Sequence, residues 1–195
     1  AYFSLGEYDS SLADYQQFDQ ALRNIQNYDW IVFTSRFGVE YFFRRLNKIG
    51  LDTRSLSKAK IAAIGSSTKN RLLDYGVIAN LIPREESSLG LIKELKKADL
   101  RNRWVFLPRS DISDKGLELA LKRQGAILHS EVAYQNVEHK DLPDLDFSFF
   151  DEIMFTSPSG VRNFIKRYGK LPRKIKVSCI GKVTAKEARK WHLIG

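Results

Sequence analysis

Residues 31–39, Ile31-Val32-Phe33-Thr34-Ser35-Arg36-Phe37-Gly38-Val39, return 122 positions later as residues 153–161, Ile153-Met154-Phe155-Thr156-Ser157-Pro158-Ser159-Gly160-Val161. A second pair follows in the same order, since residues 60–68 (KIAAIGSST) correspond to residues 176–184 (KVSCIGKVT) at a shift of 116. Two motifs that recur in order at nearly equal shifts indicate an internal duplication. The chain is therefore predicted to carry two copies of one structural unit.

Each repeated motif places a short apolar run before a polar turn and a segment of helical periodicity. The predicted strands are 30–34, 60–64, 79–82, 104–107, 126–137, 152–156 and 174–180, and the predicted helices are 39–46, 67–76, 88–98, 114–124, 160–168 and 184–191. Pro83 and Pro108 are expected to end two of these strands, and Ser113 is expected to cap a helix. Strands that alternate with helices in this way predict an α/β fold with parallel sheets.

The alternation is interrupted once, by a polar stretch from Glu138 to Ser148 that contains Pro143. Such a stretch is typical of a linker or crossover. We therefore predict a domain boundary between residues 137 and 148.

Composition narrows the class of protein. The chain has 195 residues, 43% of them hydrophobic and 28% charged, with a formal net charge of +9. No apolar run approaches the roughly 18 residues of a membrane helix, and a single cysteine, Cys179, cannot form an internal disulfide. The basic residues are scattered rather than clustered, and His129, His139 and His192 lack metal-ligand spacing. We expect a cytoplasmic protein that binds no membrane, nucleic acid or metal.

Hydroxyl residues follow the predicted strands in both copies, where helices are expected to begin. Backbone N–H groups of a first helical turn have no intrahelical partner, and the helix dipole adds positive potential there, so anions favour such places. We interpret these residues as four small anion-binding sites, with Gly38 and Gly160 allowing close approach of the backbone. The hydroxyl residues are Thr34, Ser35, Ser67, Thr68, Thr156, Ser157 and Thr184. The alternative is that they are only helix N-caps.

Six short motifs stand in a fixed order along the chain: residues 29–39, 64–68 (IGSST), 107–111 (LPRSD), 132–135 (VAYQ), 155–160 (FTSPSG) and 180–185. In this order they resemble the uroporphyrinogen-III synthase family, over residues 28–195. The resemblance implies two similar flavodoxin-like or Rossmann-like parallel-sheet lobes, joined by a two-stranded linker, with one lobe inserted in the other. The inserted lobe would be 10–134, and the second would comprise 1–9 and 135–195, truncated at both ends.

The resemblance also implies an activity. The family cyclises hydroxymethylbilane to uroporphyrinogen III, with loss of water and inversion of ring D through a proposed spiro intermediate, without a cofactor. A substrate with many carboxylate arms suits a net charge of +9 through electrostatic steering. Arg36 departs from the residue usual in the family after Thr-Ser, and it is expected to add a guanidinium to the site. The expected partner is this substrate alone, bound by a monomer.

Tyr134 lies where the long predicted strand leads into the linker and matches the family's tyrosine. The resemblance makes it our candidate proton donor to the leaving hydroxyl. The alternative for this residue is a strand aromatic that only packs. The alternative for the whole chain is a non-catalytic two-lobed module that binds anions or tetrapyrroles.

Overall fold

The computed structural model describes residues 6–9, 15–56, 58–138, 143–172 and 174–194. The strands are β1 (Gly6–Asp9), β2 (Trp30–Phe33), β3 (Lys60–Ala63), β4 (Trp104–Ser110), β5 (Ile127–Glu138), β6 (Glu152–Phe155) and β7 (Lys176–Cys179). The helices are α1 (Gln16–Arg23), α2 (Arg36–Lys48), α3 (Ser66–Asp74), α4 (Ser88–Lys97), α5 (Gly116–Arg123), α6 (Pro158–Tyr168) and α7 (Lys182–Lys190). Among the helices of these described ranges, none has the length and apolar character needed to span a membrane.

Residue contacts divide the chain into a larger unit, Tyr8–Asn136, and a smaller unit, Ala1–Glu7 with Val137–Gly195. The insertion of one lobe in the other, with bounds 10–134 and 1–9 plus 135–195, stays a prediction. Residues 1–5, 10–14 and 139–142, with His139 among them, lie outside the described residues.

A five-stranded sheet has the order β1-β5-β4-β2-β3, and its strands β2, β3 and β4 lie wholly in the larger unit. The β2–β3, β2–β4 and β4–β5 pairs are parallel, which confirms the predicted α/β class. Alternate residues of β2 face opposite sides, so Ile31 and Phe33 pack with α1, α2 and α3, whereas Val32 packs with α4 and α5. Because both faces are covered, all of β2 is buried, as expected for a parallel sheet between two helical layers.

The duplicated sequence adopts the same local structure in both units. The parallel register of β2 with β3 pairs Ile31 with Ile61, and the corresponding register of β6 with β7 pairs Ile153 with Val177. The aromatic packing also recurs, because Phe42 meets the Phe33 ring edge-on at 5.1 Å and Phe164 meets the Phe155 ring edge-on at 5.3 Å. The repeat therefore specifies a β-α-β-α element together with its core contacts.

Three sequence predictions about element bounds are wrong. Residues 79–82 form only one bridge, from Leu81 to Ala62, because the Asn80 side-chain oxygen accepts the Ile61 N–H at 2.7 Å and replaces a backbone ladder bond. Pro108 does not end β4, which continues to Ser110. Ser113 does not cap α5, since the Asp114 carboxylate accepts the Gly116 N–H instead.

The C-termini of α3 and α7 form matching Schellman turns, but the residue in the left-handed position differs. Gly76 has φ +71° in the first turn, whereas the corresponding His192 has φ +55° in the second. The N–H groups of Val77 and Leu193 bond the carbonyls five residues earlier at 3.0 and 3.1 Å. Only glycine adopts this left-handed conformation without a steric cost.

Replacing His192 with glycine should therefore raise the free energy of unfolding by about 1 kcal/mol, because a side chain in the left-handed region costs roughly that amount. The reciprocal change Gly76→Ala should lower it by about as much. Urea denaturation of both variants measures the two shifts. A change in the free energy of unfolding in the same direction for both variants would contradict this explanation.

Candidate active site

The carboxyl ends of β2, β4 and β5 bring Ser35 and Tyr134 together in the larger unit. The Ser35 Oγ and Tyr134 Oη atoms form a hydrogen bond of 2.9 Å, in which either hydroxyl could donate. The Asp111 N–H also donates to the Tyr134 carbonyl at 3.2 Å, which anchors this part of β5 to the end of β4. Two residues separated by 99 positions in sequence are thus joined at the edge of the sheet where ligands of parallel sheets bind.

A β-bulge in β5 directs Tyr134 towards α2. Arg109 pairs with Val132 but Ser110 pairs with Tyr134, so Ala133 is an extra residue on β5. Successive side chains of a regular strand point to opposite faces. Here Ala133 and Tyr134 both pack into the core cluster that contains α2, which regular alternation would not allow. The bulge therefore places the phenol beside Ser35.

The Tyr134 ring is enclosed by aromatic side chains. It stacks on Tyr41, with ring centroids 5.4 Å apart, and contacts the Phe37 ring at 6.3 Å. Tyr134 is only 5% exposed. Its position thus combines packing in the core with a hydroxyl that is hydrogen-bonded at the edge of the sheet.

Ser35 and Ser157 both act as N-caps. The Ser35 Oγ accepts the Gly38 N–H at 2.8 Å, and the Ser157 Oγ accepts the Gly160 N–H at 3.1 Å. These two glycine amides are therefore engaged by capping. A Cβ at Gly38 would lie 3.2 Å from the Ser35 Oγ and 3.5 Å from the Pro108 carbonyl oxygen, so the missing side chain lets α2 pack closely on β4. At these two serines the structure therefore has the helix N-caps of the alternative interpretation.

The helices α3 and α7 begin differently, at Gly65 and Gly181, and neither has a side-chain cap. The first-turn amides of α7 therefore have the partial positive charge of an anion site, whereas the Glu86 carboxylate already lies at the start of α3, where it accepts a hydrogen bond from Ser66 Oγ at 3.1 Å. Thr68 and Thr184 occupy corresponding places in these turns, and their side chains are buried, at 3% and 4% exposure. A ligand contact by either threonine would have to use its backbone N–H.

A groove of about 710 Å³ runs between the N-terminal halves of α2 and α3. Its lining residues are Arg36, Phe37, Glu40, Ser66, Ser67, Asn70, Arg71 and Asp74. Arg71 is paired with Glu40 at 3.2 Å and with Asp74 at 3.1 Å. The Arg36 guanidinium lies 4.8 Å from the centroid of the Phe37 ring. Since Arg36 is exposed and has no carboxylate partner among the described residues, it is the charge in this groove best placed to bind an anion.

The predicted site residues thus fall into two groups. Ser35, Arg36, Gly38, Ser67, Thr68 and Tyr134 lie near the carboxyl ends of strands in the larger unit, with the half-buried Thr34 beside them. Thr156, Ser157, Gly160 and Thr184 lie at the corresponding ends of β6 and β7 in the smaller unit, where Thr156 is exposed. Within the described parts of the chain, no three His, Cys, Asp or Glu side chains are grouped closely enough to hold a metal ion.

Several groove residues were missed by the sequence analysis, namely Glu40, Ser66, Asn70, Arg71 and Asp74. The sequence pattern that could have identified them is helical spacing, because polar residues three to four positions apart share one face of a helix. On α3, Ser66, Asn70 and Asp74 follow this spacing beyond the first turn. The anion-site pattern that the sequence offers is confined to the first turn and so does not include them.

A family model described as uroporphyrinogen-III synthase HemD matches residues 9–193. The porphyrin biosynthesis protein HemD of Ruminiclostridium josui is 29% identical over 180 residues, which cover 89% of this chain and 36% of that protein. A putative uroporphyrinogen-III synthase of Methanothermobacter thermautotrophicus is 25% identical, over 86% of this chain and 71% of that protein. The chain thus spans about a third of the first relative and most of the second.

Solved structures share the fold. A mutant uroporphyrinogen III synthase of the extremely thermophilic bacterium Thermus thermophilus has a TM-score of 0.68 at 18% identity, covering 98% of this chain and 79% of that chain. The Helicobacter pylori enzyme, named uroporphyrinogen-III synthetase, gives 0.66 at 18% identity, with coverage of 96% and 81%. The family match extends over nearly the whole sequence, and the chain therefore belongs to the uroporphyrinogen-III synthase family, whose members are cyclising lyases of porphyrin biosynthesis.

Proposed function

We propose that the chain cyclises hydroxymethylbilane to uroporphyrinogen III, with loss of water and inversion of ring D, in a cleft between its two lobes. The observation that carries the proposal is the hydrogen bond between Ser35 and Tyr134 at the carboxyl edge of the larger sheet. Family membership supports the reaction class, and the two hydroxyl groups provide the proton donor that loss of water needs. We place the enzyme in the cytoplasm as a monomer that needs no cofactor.

Ring closure begins with departure of the hydroxyl group from the substrate's hydroxymethyl carbon. Breaking this C–O bond is easier when a proton is delivered to the oxygen, which then leaves as water. The Ser35–Tyr134 pair contains two hydroxyl protons and uses one of them in the bond between the residues. Tyr134 would deliver the proton, either directly or through Ser35. The electron pair of the pyrrole nitrogen then stabilises the carbon as an azafulvene, which the terminal pyrrole attacks.

Positioning matters as much as proton transfer, because the azafulvene also closes without assistance to the uninverted isomer. A substrate held in the folded geometry reacts as a pre-organised intramolecular pair. In the larger unit, the exposed Arg36 guanidinium would bind a carboxylate arm. In the smaller unit, the uncapped first turn of α7 would bind another carboxylate arm. These contacts use backbone amides and one flexible arginine, which suits arms of variable geometry.

The deciding experiment supplies hydroxymethylbilane to the purified chain and measures the ratio of the III isomer to the I isomer. We expect the III isomer to dominate, at a rate that is proportional to protein concentration. The I isomer alone, formed at the uncatalysed rate although tetrapyrrole binding is detected by calorimetry, would support the non-catalytic module instead. The I isomer without any tetrapyrrole binding would overturn both proposals.

A further inference from the structure

A second cavity lies in the larger unit away from the carboxyl edge, near the amino ends of β2 and β4. It has a volume of about 460 Å³, within the range of small-molecule sites. We call it the amino-end pocket, and its lining is Gln17, Gln20, Ala21, Asn24, Asn27, Tyr28, Trp104, His129 and Glu131. None of these residues takes part in the proposed cyclisation, so a proposal about this pocket does not depend on the proposed function.

The lining of the pocket is acidic, which is unusual in this basic protein. The chain contains 32 Lys and Arg residues, yet the pocket's lining contains none, and its single carboxylate is Glu131. Glu131 is half-buried and accepts no hydrogen bond from a side chain within the described part of the molecule. Burial raises the pKa of Glu131, and only the more distant charges of His129 and Arg109 oppose that shift. A half-buried carboxylate without a direct partner is electrostatically favourable for a cation.

The nearest other charges are already engaged. Asp29 accepts the Trp104 N–H at 2.9 Å and a bond from Arg103 at 3.2 Å. Arg109 is paired with Glu118 at 2.9 Å. Neither residue lines the pocket. Glu131 is therefore the only carboxylate among the side chains that line the pocket.

Aromatic rings form one wall of the pocket. The Trp104 indole is 44% exposed and lies 6.2 Å from the His129 ring and 6.5 Å from the Tyr28 ring. Tyr28 hydrogen-bonds the His129 Nδ1 atom. Burial, together with the charge of Glu131, raises the pKa of Tyr28 to about 12, so this phenol stays neutral. An exposed indole face attracts planar and cationic groups.

The remaining polar groups of the pocket are amides. Gln17, Gln20, Asn24 and Asn27 lie on α1 and in the turn after it, and their side-chain amides carry acceptor oxygens as well as N–H donors. Such oxygens accept hydrogen bonds from N–H donors but bring no charge. We propose that the amino-end pocket binds a small planar organic cation, of the amidinium or protonated heteroaryl-amine class, with its charge on Glu131 and its ring against Trp104.

Calorimetric titration with benzamidinium tests this proposal, with neutral benzamide as the matched probe. We expect benzamidinium to bind at least about tenfold more tightly than benzamide, because a charge-assisted hydrogen bond typically contributes that much. Glu131→Gln keeps the shape of the side chain and should remove the preference. Glu94→Gln, which changes a half-buried carboxylate on α4 that is paired with Lys97, should leave it unchanged.

Trp104→Leu provides a second test, should Glu131→Gln fold poorly. This variant should weaken benzamidinium binding by roughly 3- to 30-fold through loss of the cation–π contact. Equal affinities for the two probes, a preference that survives Glu131→Gln in a folded variant, or no heat of binding up to about 10 mM benzamidinium would overturn the proposal.

Discussion

Tyr134→Phe is expected to slow formation of the III isomer by roughly 10²- to 10⁴-fold, the usual contribution of a positioned general acid. The ring keeps its stacking on Tyr41, and only the hydroxyl is lost. Loss of the bond to Ser35 should lower the free energy of unfolding by only about 1 kcal/mol. Single-turnover kinetics and urea denaturation measure the two effects separately.

Two serine variants control this experiment. Ser35→Ala removes the same hydrogen bond from the other side and also removes the N-cap of α2, which typically costs about 1 kcal/mol. Ser157→Ala removes the corresponding cap of α6, and its hydroxyl bonds Ser159 rather than a tyrosine. A Tyr134→Phe enzyme with an unchanged rate would make Tyr134 a packing residue and would leave the proton donor unidentified.

Phe42→Ala is expected to lower the free energy of unfolding by about 3–5 kcal/mol, the cost of deleting a buried aromatic ring. Phe42 is fully buried, and the rings around it are Phe18, Phe33, Phe43 and Phe106, at centroid distances of 6.5, 5.1, 5.1 and 6.1 Å. Because these rings belong to α1, α2, β2 and β4, the cavity left by the mutation cannot be closed by moving one element. Chemical denaturation followed by circular dichroism measures the loss.

Phe42→Leu is the graded control, since a smaller loss of volume should cost about 1 kcal/mol. Phe149→Ala is the surface control, because Phe149 is 82% exposed and its removal should change the stability by less than about 0.5 kcal/mol. A loss below about 1 kcal/mol for Phe42→Ala would show that this core is more loosely packed than the structure indicates.

The repeat and the alternation of strands with helices were sufficient to predict the α/β class and most of its local elements, although β1 and α1 were not among those predicted. A motif such as FTS-x-x-GV contains a strand, a cap and a helix face, and all of these are set by residues that are neighbours in sequence. Ser35 and Ser157 therefore occupy the predicted strand-to-helix turns, where both are N-caps with extended backbones. Helix α4, predicted over residues 88–98, begins at Ser88 with Ser87 as its N-cap.

Features that depend on two distant segments were not predictable in this way. Residues 79–82 do not form the predicted strand because the Asn80 side chain, instead of a backbone carbonyl, accepts a hydrogen bond from β3. No local sequence pattern indicates this replacement of a backbone bond. The same holds for the groove, because Arg71 is fixed by Glu40 of another helix. Tyr134 was singled out by resemblance, but its contact with Ser35 depends on a bulge that sequence periodicity does not reveal.

The bulge at Ala133 makes the pairing register of β5 as important for the site as its composition. Regular pairing of the same residues, with Ala133 opposite Ser110, would turn the Tyr134 phenol to the layer of α4 and α5, although every side chain that bears a functional group would still be present. Substitutions at position 133 by other small residues would preserve the geometry. A shift of one residue in the pairing of β5 with β4 is therefore expected to remove the phenol from the site, whereas a change of side chain at position 133 is not.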